Sequence, residues 1–360
     1  MRVIITAGGT GGHIYPALAI LNKIKEKESK SEFLYIGTTD RMESEIVPSK
    51  GIPYLGIEMK GLDRKHPWKN FKVFTIYLKA IKQAKEAIKD FKPDLVIGVG
   101  GYITTPVIYA AKKLGYKTMI HEQNAIPGVS NKILSHYADR ILVSFEESKE
   151  SFPKSKTVYT GNPRSEEITK LKAGDKRDLG FSPLKKLVII VMGSLGSMTM
   201  TQKLKELIPS FASKPYEVLL VTGKNYYQDY QSLKIPKNVK IVSFYDAKYM
   251  KSCDLIITRS GASTIAEITA LALPSIMVPS PYVTHNHQMK NALALEKLGA
   301  CKIIAEENFS AKTVLPAIDS ILNDEEQRKN MQEALKKIAL TDSANRIYQE
   351  AKKLVRDEKK

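Results

Sequence analysis

The sequence predicts an α/β protein made of two successive doubly wound, Rossmann-like domains. Three observations lead there. A chain of 360 residues is longer than a single core ordinarily grows, so it should divide in two. Short apolar runs alternate with amphipathic stretches, the pattern of βαβ units on parallel sheets. The pattern also starts twice, each time as an apolar strand running into a glycine turn: Ala7-Gly8-Gly9-Thr10-Gly11-Gly12, then Gly193-Ser194-Leu195-Gly196-Ser197.

In the first half the buried-strand runs are Val3–Thr6, Phe33–Ile36, Leu95–Val99, Thr118–Ile120 and Ile141–Val143. Ala17–Lys27 and Pro106–Leu114 between them have the helical period. The second half repeats the scheme with Leu187–Met192, Val218–Val221, Leu255–Thr258 and Ile276–Val278. The join is expected near Gly161-Asn162-Pro163, giving domains at 1–161 and 162–341. From Asp342 onward Ile347, Ala351 and Leu354 share one helical face, which predicts a final helix packing back on the first domain. Small molecules are expected in a cleft between the two domains, at the carboxyl ends of both sheets.

Composition narrows the class. An apolar fraction of 43% with 26% charged residues is that of a globular chain. The longest apolar runs fall far short of the about 20 residues that cross a bilayer. Met1-Arg2-Val3-Ile4-Ile5-Thr6 turns directly into glycines and reads as a first strand, not a signal peptide. Cys253 and Cys301 are far apart in apolar surroundings and read as buried thiols of a reducing compartment, so the chain is expected to be cytoplasmic. With 56 basic and 38 acidic residues the net charge is +18, for which nucleic acid, anionic lipid and phosphorylated substrates are all candidates.

Gly8–Gly12 follow a strand and precede Pro16, a residue at home in a first helical turn. Such a turn attracts phosphate through backbone N–H groups and the helix dipole, or is simply a tight connection. Two sharper motifs fail. A Walker loop needs Lys-Ser or Lys-Thr after the last glycine, where His13 stands, and the dinucleotide fingerprint needs a glycine where Ile14 stands. His13, at a helix start beside that loop, is placed either for proton transfer or for capping.

Longer segments are more specific. Gly8-Gly9-Thr10-Gly11-Gly12-His13-Ile14-Tyr15-Pro16 and His121-Glu122-Gln123-Asn124-Ala125-Ile126-Pro127-Gly128 closely resemble the signature loops of the MurG family, the N-acetylglucosaminyltransferases of peptidoglycan synthesis in glycosyltransferase family 28. Gly100-Gly101-Tyr102, Gly161-Asn162-Pro163-Arg164, Arg259-Ser260-Gly261-Ala262 and Gln288 with Asn291-Ala292 follow in the family's order, so the resemblance spans nearly the whole chain. It implies a GT-B fold, two Rossmann-like domains facing each other across a cleft. It also implies inverting transfer of N-acetylglucosamine from UDP-N-acetylglucosamine to the C4 hydroxyl of the muramyl sugar in undecaprenyl-linked lipid I, giving lipid II. No cofactor and no metal are expected, in keeping with the lack of an Asp-x-Asp motif and of clustered His or Cys ligands.

The resemblance also implies roles. Thr10, Gly11 and Gly12 would face the transferred sugar and diphosphate, and His13 would be the base for the acceptor hydroxyl. Asn124 would contact a sugar, Arg164 the diphosphate and Ser194 a phosphate oxygen. Ser260, Gly261, Ala262, Ser263 and Thr264 would open a helix toward the diphosphate, Glu267 would hold the ribose, and Gln288 would read the N-acetylglucosamine ring. Backbone near Tyr245 would meet uracil. Tyr102, His121 and Glu122 are candidates for the acceptor side, the last two alternatively for orienting their own loop. In this chain Arg164 follows Pro163 directly, and Leu195 replaces a common glutamine.

Lys60–Lys92 holds ten basic residues against three acids, with Trp68, Phe71, Phe74, Leu78 and Ile81 recurring at helical spacing. A basic amphipathic stretch suits an anionic lipid surface, with Trp68, Lys69, Phe71, Lys72, Phe74 and Leu78 as its contacts. The alternative is that the apolar stripe packs on the domain. No nucleic-acid motif accompanies the charge, so nucleic acid is not expected as a partner. The chain is accordingly expected as a peripheral protein at the cytoplasmic face of the cell membrane.

Overall fold

The computed structural model describes residues 1–61, 70–193, 196–283 and 286–356, with side chains omitted at 70–72. Two compact units divide it: Met1–Arg164 with Asp342–Lys360, and Ser165–Thr341. Arg164, assigned from sequence to the second half, therefore belongs to the first.

Among the described residues the first unit holds a seven-stranded sheet in the order β3-β2-β1-β4-β5-β6-β7. Its strands are β1 (Arg2–Thr6), β2 (Glu32–Thr38), β3 (Tyr54–Ile57), β4 (Leu95–Gly98), β5 (Thr118–Glu122), β6 (Arg140–Val143) and β7 (Thr157–Tyr159). Every pairing is parallel; Thr6, for example, stands beside Ile36 on one side and Gly98 on the other. Crossover helices cover both faces: α1 (Gly11–Lys27), α2 (Glu43–Ile46), α3 (Asn70–Phe91), α4 (Thr104–Lys113) and α5 (Val129–Leu134).

Side chains alternate across β1, and this divides the core. Val3 and Ile5 pack under α1, with Leu18 and Leu21, and under the C-terminal helix Ser343–Arg356 through Ile347, Ala351 and Leu354. Ile4 faces the other way, toward Ala80, Ala84 and Ile88 of α3, Val107 and Ala111 of α4, and Leu134 of α5. Each fully buried aliphatic side chain stabilises the fold by roughly 1.5–3 kcal/mol. Helix α1 starts at Gly11, so Pro16 lies in its second turn and not its first.

The second unit carries α6 (Arg164–Lys170, shared at its first residue with unit one) and a six-stranded sheet, β10-β9-β8-β11-β12-β13. These strands are β8 (Leu187–Val191), β9 (Glu217–Val221), β10 (Val239–Val242), β11 (Leu255–Thr258), β12 (Ser275–Met277) and β13 (Lys302–Ile303). Its helices are α7 (Met198–Leu207), α8 (Ala262–Ala270), α9 (His287–Glu296), α10 (Ala311–Asn323) and α11 (Glu325–Ile338). Burial raises the pKa of both free thiols, that of Cys301 to about 12, so neither is a ready nucleophile.

In each sheet the strand order reverses once, between β1 and β4 in the first and between β8 and β11 in the second. Loops leaving adjacent strands on opposite sides of such a point open a crevice at the carboxyl ends. The glycine turns after β1 and β8 lie at these two points.

Candidate active site

In the first unit the turn after β1 meets the turn after β4. Gly8 donates its N–H to the Gly100 carbonyl at 3.1 Å. Gly101 has φ +91°, and a Cβ there would lie 2.3 Å from the Gly8 oxygen, so only glycine permits the approach. Gly100 has φ +110° and lies against the His13 ring, where a Cβ would come within 2.5 Å of Cδ2.

Thr10 is the N-cap of α1 in extended conformation and exposed, and its side chain makes no capping bond. Its carbonyl accepts from His13 and Ile14 N–H and starts the helix, with no acidic residue in the first turn. His13 Nδ1 lies 3.1 Å from the Gly8 carbonyl oxygen. A carbonyl only accepts, so Nδ1 carries the proton and the basic lone pair of the neutral ring is at Nε2.

The 121–131 loop is organised from inside. His121 is fully buried, with Nε2 3.1 Å from the Gly161 carbonyl and Nδ1 2.9 Å from Gln123 Nε2. Nε2 therefore donates and Nδ1 accepts. Burial lowers the pKa to about 4, partly offset by the Gly161 bond, so the ring is neutral. Glu122 is also buried and accepts from Asn124 N–H, Gly128 N–H and Asn131 Nδ2 at 2.8–3.0 Å. Of the two readings open for them, touching the acceptor or orienting the loop, these bonds fit the second. Asn124 is half-buried, its amide donating to Glu122 at 3.2 Å. Tyr102, by contrast, is 61% exposed, its ring beside Gly61. The Arg164 guanidinium stacks 5.5 Å above the Tyr15 ring, on the α1 side of the same unit.

Two residues that sequence reasoning passed over hold this site from beneath. Glu43 in α2 is completely buried and accepts from Gly9 N–H at 3.0 Å and from Thr38 N–H and Oγ1 at 3.1 and 2.7 Å. Nothing local separates it from Glu45, which is exposed. Gln123, also buried, binds the Val99 carbonyl at 2.9 Å and ties the loop to β4.

In the second unit Gly261 caps α8 in extended conformation, and the first turn carries no acid. Ser263, Thr264 and Glu267 are half-buried, and spacings of three and four residues set them on one helical face; Ala262 is buried. Ser260 is fully buried and donates to the Gln288 carbonyl at 2.8 Å, so its hydroxyl joins α9 to the start of α8. Asn291 supports the same joint by donating to the Ser260 carbonyl at 3.2 Å. The Gln288 side-chain oxygen accepts from Ser280 N–H at 2.8 Å. Tyr245 is half-buried beside exposed Phe244. Ser194 lies outside the described residues.

Arg259, at the end of β11, spans this site. It donates to the Val278 carbonyl at 3.0 Å and to Ser197 Oγ at 3.1 Å, and pairs with buried Glu306 at 2.5 Å. The glycine turn after β8 is thereby tied to β11 and β12.

Of the lipid-surface residues, Trp68 and Lys69 lie outside the described residues, as do the side chains of Phe71 and Lys72. Phe74 and Leu78 are 59% and 51% exposed, whereas Ala80, Ala84 and Ile88 of the same helix are buried. The helix thus buries part of its apolar surface in the core and leaves Phe74 and Leu78 in solvent. Helix α5, over the same sheet face, also exposes Val129 and Ile133, with Lys132 between them. Among the described residues no helix is long and apolar enough to cross a membrane.

Two doubly wound halves in one chain, each with a glycine turn and a helix start at its switch point, are the architecture of the GT-B glycosyltransferases. Residues 3–143 match the glycosyltransferase family 28 N-terminal domain and residues 187–347 the family's C-terminal domain. The chain belongs to glycosyltransferase family 28. It is 45% identical, over 99% of its length and 100% of the relative's, to the UDP-N-acetylglucosamine--N-acetylmuramyl-(pentapeptide) pyrophosphoryl-undecaprenol N-acetylglucosamine transferase 1 of Bacillus cereus. The transferase of that name from Lactobacillus gasseri is 41% identical over 99% of this chain and 100% of its own. Among solved structures, Acinetobacter baumannii MurG superimposes with a TM-score of 0.75 at 27% identity, covering 98% of this chain and 99% of that one. A Listeria monocytogenes protein described as a putative UDP-N-acetylglucosamine 2-epimerase reaches 0.71 at 16% identity, covering 96% and 94%, a likeness of fold alone.

Proposed function

We propose that this glycosyltransferase moves N-acetylglucosamine from UDP-N-acetylglucosamine onto the C4 hydroxyl of the muramyl sugar in undecaprenyl-diphosphate muramoyl-pentapeptide. The observation that carries the reading is full-length identity of 45% to a transferase named for that reaction, on a chain whose first switch point holds a histidine with its lone pair at Nε2.

In this reading His13 Nε2 takes the proton as the acceptor oxygen attacks C1 of the sugar and the bond to UDP breaks, inverting that carbon. Charge then builds on the β-phosphate. The start of α8, with its acid-free first turn and oriented N–H groups, suits that charge, and each such donor is worth about 3 kcal/mol of barrier by analogy with oxyanion sites. Ser263, Thr264 and Glu267 would line the nucleotide from the same helix, with Glu267 on the ribose. Gln288 and Tyr245 would meet the donor sugar and uracil, and Ser194 a phosphate oxygen. Thr10, Gly11, Gly12 and Asn124 would meet sugar and diphosphate. Arg164 would bind diphosphate from the first unit, where stacking on Tyr15 orients its guanidinium. Tyr102 remains the exposed candidate for the acceptor.

The exposed Phe74 and Leu78, on a helix rich in lysine, support peripheral binding to the anionic cytoplasmic leaflet that carries such an acceptor. The test is transfer of radiolabelled N-acetylglucosamine from UDP-N-acetylglucosamine to a lipid I analogue in anionic vesicles, with EDTA present. A labelled lipid product is expected. No product, with the nucleotide sugar still bound, would overturn the acceptor assignment, and a diacylglycerol acceptor would be tried next.

A further inference from the structure

The carbonyl that holds His13 and the N–H that reaches Glu43 belong to one peptide group, the amide between Gly8 and Gly9. Its oxygen lies 3.1 Å from His13 Nδ1, and its nitrogen lies 3.0 Å from Glu43 Oε2. In a trans amide these two groups point in opposite directions, so the carboxylate and the imidazole sit at its two ends. We infer that Glu43 is a positioning residue for His13, acting through the Gly8–Gly9 peptide.

Three physical points carry this. Glycines at 8 and 9 leave the peptide without side chains to fix its plane, and Gly9 has φ +92°. The plane is therefore set by what its ends bind. Second, Glu43 is itself held: Thr38 donates to Oε1 from both N–H and Oγ1. A Cβ on Gly8 or Gly37 would lie 2.3 Å from its Oε1 or 2.7 Å from its Cγ, so glycine at both positions is what lets the carboxylate pack against the turn. Third, a carboxylate accepting from an amide N–H polarises that amide, and its carbonyl becomes a stronger acceptor. The carbonyl that fixes the His13 tautomer thus also stabilises the imidazolium formed when Nε2 takes a proton. The arrangement does the work of a carboxylate bound directly to a catalytic histidine, with one peptide interposed.

The surroundings favour this over simple packing. Tyr35 hydroxyl donates to the Ala7 carbonyl at 3.1 Å, and Tyr54 hydroxyl donates to the Thr38 carbonyl. Both phenols are held protonated by burial and, next, by the charge of Glu43. The strand ends flanking the peptide are thus pinned by hydroxyls while the peptide itself is left to Glu43.

Glu43→Gln is the test, because it keeps the shape and changes the donor pattern. With its oxygen toward the two Thr38 donors, the amide turns its NH2 against Gly9 N–H, and the peptide must shift. The inference rests on His13 being the base, so two readouts are taken. The first is kcat against KM in the transfer assay. A fall in kcat of about 10- to 100-fold with KM for UDP-N-acetylglucosamine unchanged is expected, by analogy with the outer partners that orient metal-bound histidines. The second needs no turnover: 15N-histidine spectra, with the His13 signals identified by their loss in His13→Gln. Wild-type protein should show Nδ1 protonated, and Glu43→Gln a shift toward the Nε2–H form.

Unchanged kcat, or a fall in kcat with the wild-type tautomer kept, would overturn the inference. If the wild-type enzyme fails to transfer, the proposed reaction falls, and the spectra alone judge Glu43. Should Glu43→Gln not fold, Glu43→Asp keeps both acceptor oxygens on a shorter stem. It should retain the Nδ1–H form in part and turn over more slowly than wild type; a wild-type spectrum and rate there would overturn the inference equally.

Discussion

The two glycine turns hold equivalent places, each after the first strand of its sheet and at its switch point, yet they are held by groups of opposite charge. The first is fixed from below by a buried carboxylate, Glu43, whose donors are backbone N–H groups and a threonine. The second is fixed by a buried guanidinium, Arg259, which donates to Ser197 and is balanced by Glu306. The difference matches the role proposed for each turn. A carboxylate behind the first turn takes up the Gly9 N–H and suits a site where positive charge develops on a histidine. The guanidinium behind the second binds through a side chain and a strand-end carbonyl, and the adjacent acid-free start of α8 suits a site where negative charge develops on phosphate.

The largest expected effect is that of His13→Ala. Turnover should fall about 10²- to 10⁴-fold, the range of general-base contributions, with UDP-N-acetylglucosamine affinity largely kept, as read by steady-state kinetics beside calorimetric titration. Near-normal turnover would remove the histidine from the mechanism and with it the reason for the first turn's negative anchor.

Arg259→Ala should act on the opposite turn and chiefly on stability. It leaves Glu306 buried without its cation, which costs about 3–5 kcal/mol in urea unfolding, and it frees Ser197. Arg259→Ala,Glu306→Ala together should recover part of that loss. A double variant no better than the single would show that the guanidinium's bonds to Val278 and Ser197, and not the ion pair, do the anchoring.

A smaller effect separates the first turn from the loop beside it. His121 has a pKa of about 4 in the fold against about 6.5 for a free imidazole. Between those values the unfolded chain binds a proton that the folded chain refuses. This part of the stability is present above about pH 6.5 and is lost as pH falls toward 4, by up to about 3 kcal/mol. His121→Gln, which can still donate to Gly161, should flatten that slope in urea midpoints measured across the range. An unaltered slope would assign the acid sensitivity to other groups.

Much of the candidate site was legible because its residues stand in contiguous segments. The glycine turns, His13 and the Ser260–Glu267 helix start stand in unbroken motifs. Glu43 and Arg259 in its anchoring role were not legible. Glu43 looks the same in sequence as Glu45, and only the packing of α2 under the first turn buries one and exposes the other. For His121 and Glu122 the motif left two readings open, orienting the loop or touching substrate, and only burial shows their polar atoms turned inward.

The strands divide along the same line. The central strands, covered on both faces, are continuous apolar runs, and nine of these were read from sequence within a residue or two of their observed ends. The four others, β3, β7, β10 and β13, are the two edges of each sheet. Edge strands here are short and only partly buried, so Tyr54–Ile57 and Lys302–Ile303 carry no run to detect. What the sequence determined alone was the alternation, the two glycine turns and the chemistry of their residues, because these depend on local pattern. The tertiary structure decided which strands close the sheets, which of two neighbouring glutamates is buried, and which charge lies beneath each turn, because burial is a property of neighbours far apart in the chain.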